Sequence, residues 1–134
     1  MALIENGLQI LPEEECHVLL AGGTLGRVGV TMGALPAIFP VNYGMMDGAV
    51  VFYTGEGVKL RAALDGAVVA FEVDAVDTTT HSGWSVMIVG LAEDVTDPDE
   101  LAAVGRLGLE PWAGGERSHA VRIRPQFISG RRVA

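Results

Sequence analysis

The sequence has few basic residues, a single cysteine and no long apolar run. Nine Lys and Arg stand against 17 Asp and Glu, which gives the 134-residue chain a formal net charge of -8. Proteins that bind nucleic acid use clustered basic side chains to contact phosphates, so we expect no nucleic-acid partner. The lone Cys16 excludes an internal disulfide and any metal site built from several thiolates.

The apolar runs are too short to cross a membrane. The longest ones, such as 49–53 and 67–71, fall far below the roughly 20 residues of a spanning helix. The opening stretch MALIENGLQI has neither the basic nor the apolar region of a signal peptide. We therefore expect a cytoplasmic protein that does not associate with a membrane.

Histidine spacing does not indicate a metal site. His17, His81 and His119 are far apart in the sequence and form no zinc-binding spacing such as H-x3-H or H-E-x-x-H. We expect no bound metal.

Apolar residues are abundant for a chain without a membrane segment. Hydrophobic residues make up 49% of the chain and charged residues only 19%, which is apolar-rich for a soluble protein. The length predicts one domain, residues 1–134. Because obligate subunit interfaces resemble a protein core, the apolar surplus favours burial against a second subunit.

The segment LPEEECHVLLAGG predicts a helix. Pro12 suits the first helical position, three glutamates follow where the helix dipole favours them, and Gly22 suits the end. Cys16, Leu19 and Leu20 then share one face, so Cys16 is predicted to be a small core residue and not a nucleophile.

The rest of the chain predicts a mainly β fold. Six segments read as strands, at 26–32, 36–44, 49–55, 67–73, 83–95 and 119–132. Asp47-Gly48 between two β-prone runs is a strong hairpin signal, and Met32-Gly33 marks another turn. Residues 57–64 and 97–108 predict further helices. The pattern predicts a six-stranded antiparallel split β-barrel with two or three peripheral helices.

The last predicted strand contains a proline. Val121, Ile123 and Phe127 are predicted to face the core of the barrel. Pro125 has no N–H for a ladder hydrogen bond, so it predicts an edge or a bulge within this strand.

The stretch GEGVKLR carries two positive charges close together in an otherwise acidic chain. Gly55 and Gly57 allow close approach of a ligand to the backbone, and Lys59 and Arg61 lie in the first turn of a predicted helix. A phosphate monoester fits this arrangement. The spacing matches neither a P-loop nor a dinucleotide fingerprint, and a surface turn with two solvated cations is the alternative.

Several motifs occur together in one order: GRVGV, PVNYG, DGAVVFYTGEGVKL, VAFEVD, GWSVMIVGLAEDV, PWAGGER and VRIRP, followed by SGRR. In this combination the chain resembles the pyridoxamine 5′-phosphate oxidase-like, flavin-binding split-barrel family, and is most similar to its compact actinobacterial-type branch. The resemblance runs from about Leu11 to Arg132. It implies a homodimer with two flavin sites at the subunit interface.

The resemblance also implies where the cofactor lies. The PVNY strand would follow the isoalloxazine ring, the FYTG strand would lie beside the ring or ribityl chain, and Lys59 would bind the phosphate. The WSV segment would come from the partner chain. The implied cofactor-binding residues are Val41, Asn42, Tyr43, Tyr53, Thr54, Gly57, Lys59, Leu60, Arg61, Trp84, Ser85 and Trp112.

Some of these assignments have structural alternatives. Trp84 could be an ordinary core aromatic, and Trp112 could pack within its Gly-rich loop. Asn42 could bond a neighbouring turn, and Arg61 could be solvated. Arg27 could reach a phosphate or pair with an acid.

The function implied by the resemblance is that of an FMN-dependent oxidoreductase acting on a small molecule, with hydride transfer at flavin N5. The chain ends in ISGRRVA, without the Arg- and His-bearing C-terminal segment of vitamin B6 oxidases, so we expect another substrate. One alternative is a deazaflavin-dependent reductase, with Arg106 or Arg117 as extra cations. Another is a non-enzymatic flavin- or haem-binding protein, with His17, His81 or His119 as a possible axial ligand. No catalytic acid or base is assigned.

Overall fold

A computed structural model of the protein describes residues 3–5, 7–54, 64–110 and 119–133. In these ranges the strands are β1 Leu3–Glu5, β2 Leu8–Ile10, β3 Leu25–Met32, β4 Leu35–Met46, β5 Ala49–Thr54, β6 Val68–Asp77, β7 Ser82–Asp94 and β8 His119–Val133. The helices in these ranges are α1 Glu13–Gly22 and α2 Pro98–Gly105. The predicted helix at 57–64 lies outside the described residues except for Leu64.

The strands form one antiparallel sheet that closes into a ring. Their order is β1-β2-β8-β5-β4-β3-β6-β7, and β7 also pairs with β8. The six predicted strands are β3 to β8, which make the ring, so the prediction of a mainly β split barrel is confirmed. The sequence did not predict the hairpin of β1 and β2, which joins the ring by pairing β2 with the end of β8.

The β4–β5 connection is the predicted two-residue hairpin. Met46 pairs with Ala49, and the two residues between them, Asp47 and Gly48, have φ of 51° and 78°. Positive φ at both positions defines a type I′ turn, whose twist matches that of the flanking strands. This turn fixes the register of β4 against β5.

The two helices cover different parts of the ring. Cys16 and Leu20 of α1 are buried in the main core, so Cys16 is a core residue as predicted. The helix begins at Glu13 with Pro12 as its N-cap, one residue later than expected. Val104 of α2 packs in a second cluster with Val51, Val95 and Ala120.

The predicted inward orientation of Phe127 is wrong. Phe127 is 58% exposed, whereas Val121 and Ile123 are fully buried. On β7, Val89 pairs with Phe127 but its neighbour Gly90 pairs with Pro125, so one extra residue is inserted into β8. A bulge of this kind reverses the alternation of inward and outward side chains, and the prediction of a bulge at Pro125 is confirmed.

Gly90 tests the importance of this bulge. A methyl group at position 90 would overlap the main-chain carbonyl of Arg124, whose carbon lies 2.8 Å away. Because the obstacle is backbone, we expect Gly90→Ala to lower the free energy of unfolding by at least about 1–3 kcal/mol, the usual cost of overpacking. Urea unfolding measures the change.

Gly105→Ala is the matched control, because an added methyl there meets no atom within 4 Å. It should leave the free energy of unfolding unchanged or raise it by up to about 1 kcal/mol, because Ala is the better helix former. Equal unfolding midpoints for the two variants would show that the β7–β8 ladder adjusts to a side chain at the bulge.

Candidate functional site

The register of the ladders sorts the site residues between the inside and the outside of the ring. Directly opposed residues of an antiparallel pair project to the same face, and the face alternates along each strand. One outward row consists of Pro40, Arg27, Glu72, Met87 and Ser129. Two residues further along the same strands, the outward positions include Asn42, Asp74, Ser85 and Arg131.

Val41 and Tyr43 point into the ring. Both side chains belong to the main core. The Tyr43 hydroxyl donates a hydrogen bond to the Leu20 carbonyl, and its ring meets Phe71 edge-on at 4.9 Å between centroids. Burial raises the pKa of Tyr43 to about 12. A ligand on the outer face would therefore meet the backbone of these two residues and the side chain of Asn42.

Asn42 links β4 to the segment after α2. Its Nδ2 donates to the carbonyl oxygen of Glu110 over 3.0 Å. Trp112 follows shortly after but lies outside the described residues, so its predicted contact stays a prediction. The amide of Asn42 is thus held beside the start of the Gly-rich segment.

The last two residues of β5 differ in environment. Tyr53 is half-buried and packs against the second cluster. Thr54 is only 4% exposed, and its Oγ1 has no hydrogen-bond partner among the described residues. Such groups are uncommon in native proteins. The predicted phosphate contacts follow Thr54 in the chain and lie outside the described residues: Gly57, Lys59, Leu60 and Arg61.

Trp84 stands between two open grooves. The hairpin groove, of about 560 Å³, is lined by residues that include Val76, His81, Trp84, Ser85, Arg131 and Val133. The helix groove, of about 450 Å³, lies between α1 and strands β3 and β6, and also contains Trp84. Trp84 packs against the main core as well, as its core alternative expects, and its contact with a partner's flavin stays a prediction.

Arg27 pairs with acids, which decides between its two predicted roles. Its Nη1 lies 3.5 Å from Oε1 of Glu72 and 3.3 Å from Oδ2 of Asp74. Desolvation, followed by the neighbouring Asp74, raises the pKa of Glu72 to about 7. The two acids alternate in FEVDAVD, so the strand period could have predicted this pair on one face, but sequence reasoning missed it.

The histidines lie in three separate places. His17 is on α1, 3.6 Å from Glu13, His81 is in the β6–β7 turn, and His119 opens β8. Within the described ranges no three His, Cys, Asp or Glu side chains come together as a metal site would require. Neither helix of the described chain has the length and apolarity needed to span a bilayer.

The raised pKa of Glu72 predicts a pH dependence of stability. In the unfolded chain Glu72 ionises near its usual pKa of 4.5, whereas the folded protein holds the proton up to about pH 7. The contribution of protonated Glu72 to the free energy of unfolding is therefore complete below pH 4.5 and is lost as the pH rises through 7. Glu72→Gln has no proton to lose, so between pH 5 and pH 8 its free energy of unfolding should fall by about 1 kcal/mol less than that of wild type. The pKa shift alone would give a larger difference, but solvent screens the partly exposed pair. Urea midpoints at pH 5 and pH 8 measure it, and identical pH profiles of variant and wild type would contradict it.

Known proteins share this architecture and sequence. The family described as pyridoxamine 5′-phosphate oxidase matches residues 12–132. An FAD-binding protein from Mycobacterium smegmatis is 39% identical, with a TM-score of 0.78, and the match covers 92% of this chain and 96% of that one. A Corynebacterium glutamicum protein, provisionally described as a pyridoxamine 5′-phosphate oxidase, is 38% identical with a TM-score of 0.80, covering 93% and 97%.

A curated relative extends the comparison. The uncharacterized protein Rv0080 of Mycobacterium tuberculosis is 41% identical over 128 residues, which cover 92% of this chain and 84% of Rv0080. The family match spans nearly the whole chain, and the fold and the order of the motifs agree with it. This chain belongs to the pyridoxamine 5′-phosphate oxidase family.

Proposed function

We propose that the protein is a homodimeric flavin-dependent oxidoreductase that holds the flavin between its subunits and transfers hydride at flavin N5 to or from a small molecule. The main support is that Asn42 and Ser85 lie on the same outer face of the sheet. The family resemblance assigns these two residues to the same flavin but to different subunits. A two-fold copy packed on this face can bring Asn42 of one subunit toward Ser85 of the other.

An apolar stripe beside these residues supports the dimer. Ile38, Gly29, Ala70, Val89 and Phe127 are opposed across five strands. Ile38 is 75% exposed and Phe127 is 58% exposed, and Gly29 and Ala70 between them are small. Exposed apolar surface of this extent is typical of a subunit interface.

The described residues fit a flavin at this position. The amide of Asn42 can face the polar edge of a ring, whereas Thr54, two residues from the core residue Phe52, is on the inner face. Trp84 and its apolar neighbours Val76 and Val133 offer a wall for a planar group. When bound, the flavin supplies the redox chemistry, and these residues bind it, orient it and exclude water.

The FAD-binding relative and the predicted Lys59 contact both favour a phosphorylated flavin. FMN is the form that the sequence resemblance implies, and FAD is the form that the M. smegmatis relative binds. Both carry a 5′-phosphate on the ribityl chain, the group that we assign to Lys59. The proposal therefore covers either form, and direct binding decides between them.

The absorbance spectrum and Lys59→Ala test this function. The purified protein, mixed with excess FMN or FAD and freed of unbound ligand, should retain bands near 370 and 450 nm, approximate values for the flavin itself. Lys59→Ala should weaken FMN binding by about 10- to 150-fold, since a hydrogen bond to a charged group contributes about 1.5–3 kcal/mol. Riboflavin, which has no phosphate, should be affected much less.

A retained band near 420 nm or a Soret band would instead favour the deazaflavin or haem alternative. Equal losses of FMN and riboflavin would mean that Lys59 acts on the fold and not on the phosphate. Oxidoreductase activity itself is tested by anaerobic reduction of the bound flavin with NADH and NADPH, followed by mixing with candidate acceptors. If neither donor reduces the bound flavin, the protein binds flavin but lacks the proposed redox function.

The dimer is tested at Phe127. Phe127→Arg places a charge on the apolar stripe, and burial of an unpaired charge is costly, so we expect the dimer dissociation constant to rise at least about tenfold. Sedimentation at micromolar concentration measures it. Leu101→Arg on α2 is the matched control, because Leu101 is an exposed leucine, 39% accessible, on a helix whose buried Val104 packs against no residue of the stripe. A wild-type chain that sediments as a monomer would remove the shared-site proposal.

A further inference from the structure

Arg131 differs from the other arginines of the described chain. Four of them lie within 4 Å of a carboxylate: Arg27, Arg122, Arg124 and Arg132. In the described ranges Arg106 and Arg131 have no ion pair. Arg106 is exposed at the end of α2, whereas Arg131 is partly buried in the wall of the hairpin groove. In a chain with formal net charge -8, a half-buried cation without a carboxylate is an unusual feature.

Among the residues that the structure describes, no neighbouring carboxylate pairs with Arg131. Arg131 is opposed to Ser85 on β7, and Ser85 is opposed to Asp74 on β6. Two strand spacings, about 10 Å, separate the backbones of Asp74 and Arg131, and Asp74 is paired with Arg27 at 3.3 Å. The other acid in the groove wall, Asp77, accepts hydrogen bonds from the backbone of the β6–β7 turn.

The groove around Arg131 suits a ring that carries an anion. Val76, Val133 and Trp84 give it an apolar wall. Its volume of about 560 Å³ is in the usual range for small-molecule sites. A guanidinium forms two parallel hydrogen bonds with a phosphate, and the adjacent indole can stack on a planar group. His81 also lines the groove and adds a polar edge.

We propose that Arg131 binds a phosphate of the flavin whose ring is held by the other subunit, and so selects phosphorylated flavins over riboflavin. This inference rests on the proposed function, because Trp84 and Ser85 of the same groove are assigned to that flavin. The phosphate has two possible sources. One is the ribityl phosphate shared by FMN and FAD, and the other is the adenosine-linked phosphate found only in FAD.

The test compares Arg131→Gln with Arg124→Gln. Both remove one positive charge from β8, but Arg124 lies outside both grooves and pairs with Glu93, which keeps Arg122 as a partner. Riboflavin, FMN and FAD are titrated into each flavin-free dimer, and flavin fluorescence reports binding. Arg131→Gln should weaken the binding of at least one phosphorylated flavin by about 10- to 150-fold, the range for a lost charge-assisted hydrogen bond. Riboflavin binding should change by less than about threefold, and Arg124→Gln should bind all three like wild type.

The pattern identifies the phosphate. A loss of affinity for both FMN and FAD assigns Arg131 to the ribityl phosphate, and a loss of affinity for FAD alone assigns it to the adenosine-linked phosphate. Equal weakening of all three flavins, or none, overturns the role of Arg131 while leaving the proposed function intact. Arg131→Lys, which keeps the charge, should recover part of the affinity, and no recovery together with a lowered unfolding midpoint would identify a structural residue. If wild type binds none of the three flavins, the proposed function itself fails, and this inference fails with it.

Discussion

The pairing of β7 with β8 is the interaction on which the rest of the structure depends. It joins β7, at one end of the strand order, to β8, and so closes strands β3 to β8 into a ring with an inside and an outside. The inside receives the core and Tyr43, and the outside carries Asn42, Ser85 and Arg131. A slip of one residue along this ladder would exchange the two sets of side chains, and the site would be lost together with the core.

The sequence predicted the strands well because their signals are local. Alternating and β-branched runs define β3 to β8, and Asp47-Gly48 fixes one register through its own backbone geometry. Phe127 was misassigned because a bulge shifts the alternation by one residue, and its effect depends on the pairing with Gly90, distant in the chain. Local patterns do not contain that information, although Pro125 indicated where the irregularity lies.

The candidate site was harder to predict than the fold. The family resemblance assigned Asn42, Trp84 and Ser85 to a flavin, and the ladder register places Asn42 and Ser85 on one face, but the resemblance gave no role to Arg131 of the SGRR motif. Its distinction is the lack of a carboxylate partner in the described chain, a property that depends on how β6, β7 and β8 are aligned. Glu72 is a different case, because its raised pKa results from burial beside Asp74 on the same strand, a pairing that the strand period could have predicted. The role of Arg131 becomes visible only when strands distant in sequence are placed side by side.

The packing of Cys16 against Gly130 has a consequence for how the protein responds to oxidants. An added methyl at Gly130 would lie 2.6 Å from the sulfur, so the absence of a side chain there makes room for the thiol. Cys16 is only 1% exposed, and burial, with Glu15 nearby, raises the pKa of its thiol. Thiolates and not thiols react with peroxides and disulfides. The folded chain therefore offers no accessible thiolate with which two copies could form a disulfide, so an interface between copies must be held without a covalent link.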